Sequence, residues 1–230
     1  MVLLELVTSS GLGSLLGMRH ALEPDHLAAV STLVTGERSG LKAAWLGACW
    51  GMGHTLALVT AGAALVFLRA EMPARASDMF EFAVAVMLVG LGLRAILRAA
   101  RQGPEGPTYA HQHGRLVHVH PGVPAHLHIG RWTLARRPLL IGAVHGLAGS
   151  GALTALVLAT LPSTAARLAY MALFGLGSTI GMAALSGMLG WPLGRVAKHP
   201  ALARAISLAV GCISTGLGVW WGYPLIDRLF

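Results

Sequence analysis

Apolar residues dominate this chain in runs separated by short polar breaks. Runs long enough to cross a bilayer, which takes about 20 residues, lie near 3–34, 42–68, 79–100, 138–160, 166–190 and 202–226. They predict six transmembrane helices, the first long and interrupted at Glu23-Pro24-Asp25. The expected fold is an all-α membrane protein in three parts. A first three-helix unit covers 1–100, a histidine-rich connection covers 101–137, and a second three-helix unit covers 138–230.

The two units resemble each other. S-L-L-G-M-R-H ending at His20 parallels L-L-I-G-A-V-H ending at His145, and W-G-M-G-H-T (Trp50–Thr55) parallels F-G-L-G-S-T (Phe174–Thr179). G-L-G at Gly90–Gly92 parallels G-L-G at Gly216–Gly218. Order and spacing are kept throughout. Three helices per copy is an odd number, so the second copy must be inverted across the membrane. Inverted repeats with an interrupted helix point to a secondary transporter whose site lies near the midplane.

Composition agrees. The chain has 55% hydrophobic and 11% charged residues, whereas a soluble domain carries roughly 25% charged residues. The lipid bilayer is therefore its expected surroundings. The first apolar run lacks a basic lead and an A-x-A-like exit, so it is expected to be retained. Cys49 and Cys212 both fall in apolar stretches and form no C-x-x-C pair, which suggests packing rather than redox chemistry.

The formal charge of +8 is explained by topology rather than by nucleic acid, which is not an expected partner. One set of loops and helix ends holds Arg38, Lys42, Arg94, Arg98, Arg101, Arg115, Arg131, Arg136, Arg137, Arg195, Lys198 and Arg204. The opposite set holds Arg69, Arg75, Arg167 and Arg228. The positive-inside rule puts the first set in the cytoplasm, hence both termini outside the cytoplasmic (inner) membrane.

R-H-A-L-E-P-D-H, residues 19–26, lies within the first apolar run. Each ionisable residue at a helix centre costs about 2.5–3.5 kcal/mol on insertion scales, so such a cluster is a functional hypothesis by default. On an unbroken helix Asp25 and His26 would point about 140° and 240° away from His20. Pro24 cannot donate to the carbonyl of His20 and its ring clashes there, so the helix breaks and the groups can converge, together with a freed carbonyl. Imidazole with carboxylate suits nickel, cobalt or zinc. His54 lies on the next helix, where Gly51 and Gly53 permit close approach, and His145 is the repeat mate of His20.

Two structural alternatives stand beside this reading. His20 to His26 forms a salt-bridge cluster with Arg19, or His54 and His145 make ordinary interhelical hydrogen bonds. Glu23 either pairs with Arg19 or occupies the start of a half-helix, where the dipole favours a carboxylate.

R-H-A-x-x-x-D-H followed by G-H-T resembles the nickel/cobalt transporter family, particularly its short urease-accessory, nickel-permease-like branch. His20, Asp25 and His26 match the family's His-x4-Asp-His signature, and His54 matches the histidine of its L-G-H-[ST] motif. The resemblance covers roughly 10–227. It implies high-affinity uptake of nickel or cobalt by a permease, with these residues recognising the ion. Where longer permeases carry an acidic D-T-A-T-E-like motif, this chain has H-G-L-A-G-S-G-A-L (His145–Leu153), which shifts attention to His145. Related exporters carry histidine-rich loops, so export is the alternative direction.

That connection, residues 111–132, contains His118 and His120 alternating with Val117 and Val119, and His126 and His128 alternating with Leu127 and Ile129. With P-G-V-P between them, the pattern predicts one hairpin gathering four imidazoles on one face as an accessory metal site. Its partner would be a cytoplasmic metal-acceptor protein; the alternative is a mobile loop that binds metal only incidentally.

The expected mechanism is alternating access around one site formed by His20, Asp25, His26 and His54, with His145 joining it or guarding the exit. No cofactor is expected besides the transported ion. The sequence holds no G-x-x-x-x-G-K-[ST], so the membrane potential or a proton gradient is the expected drive. A membrane metalloenzyme, with Glu23 as base, or a haem protein would use the same histidines but leave the repeat unexplained.

Overall fold

The structure, a computed structural model, describes residues 2–35, 37, 39–70, 72–101, 109–113, 116–120, 126–129, 132–161, 163–196 and 199–230. Among them seven helices carry the chain. These are α1 (Val2–His20), α2 (Pro24–Val34), α3 (Gly40–Leu68), α4 (Ala74–Arg101), α5 (Arg136–Thr160), α6 (Thr164–Val196) and α7 (Pro200–Leu229). The first apolar run is the pair α1 and α2, and the other five runs each lie within one helix.

Among the described residues, α3, α4, α6 and α7 are long and apolar enough to cross a membrane. They have 29, 28, 33 and 30 residues, and at about 1.5 Å per residue each exceeds the roughly 30 Å hydrocarbon layer. Their packing is inverted relative to a soluble bundle. Large side chains face outward, with Leu68 75% and Trp220 72% exposed, while Gly, Ala and Ser fill the contacts between helices. In water so much exposed apolar surface would aggregate; in lipid it is the expected outer face, and small residues bring helix backbones together. The chain is a multi-pass membrane protein.

α3 packs most extensively on α6 and α5, α4 on α7, and α1 on α6. Several contacts occur twice. A side chain at Gly53 would strike the Leu139 carbonyl of α5, and one at Gly177 would strike the Ser14 carbonyl of α1. Gly142 lies in the same way on the Trp50 backbone, and Gly17 on that of Phe174. Between α3 and α6 the hydroxyls of Thr55 and Thr179 meet at 2.8 Å. Deeper in the bundle Ser214 donates to the Leu88 carbonyl at 2.9 Å.

The break falls at Ala21–Glu23, with Glu23 extended and Pro24 opening α2. A proline suits this first helical position, where its missing N–H leaves no bond unmade. The carbonyl of His20 that the proline frees finds a local donor. The Glu23 N–H donates to it at 3.0 Å, while the Leu27 N–H caps the Glu23 carbonyl at 2.9 Å. A tight turn thus consumes the polar groups that the proline releases.

The single hairpin expected across residues 117–129 is also corrected. β1 (Tyr109–His113) pairs antiparallel with β2 (Leu116–His120), and β3 (His126–Ile129) pairs with β4 (Trp132–Ala135). His118 therefore stands opposite His111, and His128 opposite Thr133. Each pair is separated in sequence by Gly-Arg, the two-residue, glycine-first spacing that tight hairpins favour. P-G-V-P, Arg38, Arg115, Arg131 and Lys198 lie outside the described residues, as do the side chains of His118, His120, His126 and His128. Of the cysteines, Cys49 is buried as expected of a packing residue, whereas Cys212 is exposed.

Candidate metal centre

The turn between α1 and α2 carries His20 inward on the end of one helix and Asp25 and His26 on the first turn of the next. α3 adds His54 beside the Gly53 contact, and α5 adds His145 next to Gly142 and Gly146, whose missing side chains let α5 lie on the α3 backbone. All five residues singled out in the sequence meet here. His26, His54 and His145 are buried, at 2%, 0% and 2% exposure.

The rings form a compact cluster. His20 and His26 are 4.5 Å apart by ring centroid, His20 and His54 5.3 Å, His26 and His54 5.5 Å, and His26 and His145 4.8 Å. Ligand atoms of His20, His26 and His54 lie within 4.8 Å of one another, and so do those of Asp25, His26 and His145. Imidazole donors at about 2.0–2.1 Å from a divalent ion stand no more than roughly 4.2 Å apart, so a small inward movement would complete either set.

Carboxylates orient two of the imidazoles. Glu23 meets His20 Nδ1 at 2.9 Å, and Asp25 Oδ1 meets His26 Nδ1 at 3.0 Å, with its Oδ2 at 3.5 Å from His145 Nε2. A proton held on Nδ1 by a carboxylate leaves Nε2 as the free donor, the arrangement that prepares histidine for a metal. Glu23 pairs with His20 rather than Arg19. Nε2 of His20 and His26 and both ring nitrogens of His54 and His145 are buried without a hydrogen-bond partner. Each unmade hydrogen bond of this kind costs about 1–3 kcal/mol. Among the described residues no ordinary interhelical hydrogen bond satisfies these nitrogens.

Two aromatic walls were not singled out in the sequence. Trp50 packs on His26 at 5.4 Å and His145 at 5.6 Å, and Phe174 packs on His20 at 5.3 Å. The spacing did carry a signal, since Trp50 precedes His54 by one helical turn and so shares its face. The repeat mate of His54 is Ser178, whose hydroxyl is buried and unpartnered, so the imidazoles are concentrated on first-unit helices.

Apolar spans surrounding a buried imidazole and carboxylate cluster define a membrane protein of the metal-handling class. The chain belongs to the high-affinity nickel-transport protein family (NicO), whose sequence profile matches residues 6–216. It is 33% identical over 221 residues to the urease accessory protein UreH of Bacillus sp. (strain TB-90), covering 96% of this chain and 93% of that protein. It is 28% identical over 219 residues to the Chloroplast protein FOR GROWTH AND FERTILITY 1 of Arabidopsis thaliana, and 26% identical over 221 residues to FOR GROWTH AND FERTILITY 2 of the same plant. Those alignments cover 93% and 94% of this chain but 58% and 56% of the plant proteins, so the chain spans little more than half their length. No solved structure matches it. The family is one of transport proteins, not enzymes, and nickel ion is the substrate it names.

Proposed function

We propose that this protein takes up nickel, and cobalt with it, across the cytoplasmic membrane by alternating access around the cluster of His20, Asp25, His26, His54 and His145. The carrying observation is the set of buried imidazole nitrogens without partners, in a family of nickel transporters. Imidazole favours nickel and cobalt over magnesium or calcium, which prefer oxygen donors.

The inverted repeat has support in the duplicated contacts. Gly53 on Leu139 corresponds to Gly177 on Ser14, Gly142 on Trp50 to Gly17 on Phe174, and Trp50 against His145 to Phe174 against His20. In each pair both partners exchange for their repeat mates, as a two-fold axis between the halves requires. The Thr55–Thr179 contact joins a residue to its own mate, as contacts on that axis do. Alternating access follows when one half rocks against the other about such an axis.

With both termini outside and the histidine-rich segment in the cytoplasm, a doubly charged ion moving inward gains about 4.6 kcal/mol per 100 mV, twice the single-charge figure. The segment carrying His118, His120, His126 and His128 then receives the ion or passes it to an acceptor protein. Uptake of labelled nickel by cells lacking other nickel routes tests the assignment. Alanine at His20, Asp25 or His26 is expected to abolish high-affinity uptake while the protein stays in the membrane; unchanged uptake in these variants would overturn it.

A further inference from the structure

We infer that the cluster is two adjoining stations rather than one site: an ion is held first by His20, His26 and His54, then by Asp25, His26 and His145, with His26 common to both. The inference rests on the proposed role of the cluster in transport.

The ligand atoms fall into two sets of three, and His26 belongs to both. Its ring is 4.5 Å from that of His20 and 4.8 Å from that of His145. The two nitrogens of that ring have different surroundings. Nδ1 is 3.0 Å from Asp25 Oδ1, whereas Nε2 is buried and unpartnered. A neutral imidazole carries one proton, so only one of its nitrogens has a lone pair to give. An ion on Nε2 leaves the Nδ1–H donating to Asp25. An ion on Nδ1 needs that proton gone and one present on Nε2. Occupation of one station excludes the other.

The stations differ in access and charge. The first ends on His20, whose side chain is 15% exposed and bonded to the half-exposed Glu23; the second ends on His145, whose side chain is 1% exposed. Three imidazoles form the first, while in the second a carboxylate replaces one of them, which strengthens its hold on a cation. His20 and His145 are repeat mates, each backed by a repeat-mate aromatic ring, Phe174 and Trp50. They therefore suit the two ends of a path through the pseudo-symmetric centre.

Equilibrium binding of Co2+ and Ni2+ to the purified full-length protein, paired with flux in proteoliposomes, separates the alternatives. His54→Gln removes a ligand from the first station only, His145→Gln from the second only, and His26→Gln from both. The unsubstituted protein is expected to bind one ion per chain. His54→Gln and His145→Gln should each still bind one ion, with Co2+ absorption bands that differ from each other, yet lose more than about tenfold in flux. His26→Gln should lose binding. Alanine versions with unchanged melting temperature guard against a folding effect. If His54→Gln and His145→Gln lose binding as fully as His26→Gln, the cluster is a single site and the handover is wrong while the transport reading stands. Two ions bound per unsubstituted chain would also overturn it. Absence of binding by the unsubstituted protein would overturn both readings.

Discussion

At the residue scale, the two carboxylates have distinct work. Asp25 spans His26 and His145, and Glu23 holds His20 from the exposed side. Carboxylates behind metal-binding histidines are worth about 10–100-fold in affinity or activity. Asp25→Asn, which removes a proposed ligand as well as the partner of His26, is therefore expected to cost uptake at least that much, while Glu23→Gln costs less, because Glu23 is 51% exposed and water can replace it; half-saturating nickel concentrations in cells measure both. Protons compete with the ion for imidazole lone pairs, so uptake should fall as external pH drops below the histidine range, and raising nickel should restore it. That His20, Asp25, His26, His54 and His145 come together was legible from two motifs and one repeat, because ionisable groups stand out against apolar sequence. Trp50 and Phe174 did not stand out, since an aromatic ring in an apolar helix looks like any packing residue. The partner of Glu23 was missed because His20 and Arg19 are adjacent, and only the turn geometry decides between them.

At the element scale, each predicted apolar run lies within one helix or, for the first, within the α1–α2 pair, and the break falls at Pro24. For α3, α4, α6 and α7 length and hydropathy suffice to cross a membrane, where lipid demands unbroken backbone hydrogen bonding. Strand pairing was not legible: alternation around His118 and His126 suits either neighbour, and the Gly-Arg spacings favour the outer ones. Helix packing yields a matched prediction. Gly53→Ala and Gly177→Ala each drive a methyl group into a facing carbonyl and should each destabilise by about 1–3 kcal/mol. Gly90 and Gly216 have open space at the same point, so Gly90→Ala and Gly216→Ala should leave stability unchanged or raise it by up to about 1 kcal/mol. Thermal melting in one detergent compares all four. Unequal effects within the first pair would count against the two-fold relation.

At the scale of the whole molecule, the large exposed side chains, the glycine-lined interior and the off-water histidine cluster describe one object only when lipid surrounds it. The histidine-rich segment joins α4 to α5, and its strands β3 and β4 touch α5 and α3. The clustered residues all lie on helices or at their ends, so deleting residues 111–128 is expected to leave flux through the bundle intact and alter only delivery or feedback in cells; loss of flux in liposomes would give the segment a part in the pathway. The most direct test of transport is nickel flux into proteoliposomes containing the purified protein, with and without an imposed interior-negative potential. Transport through this cluster predicts saturable nickel accumulation that the potential increases, that cobalt inhibits and magnesium does not, and that His26→Ala abolishes. Flux absent from the unsubstituted protein, or equal in His26→Ala, would contradict it.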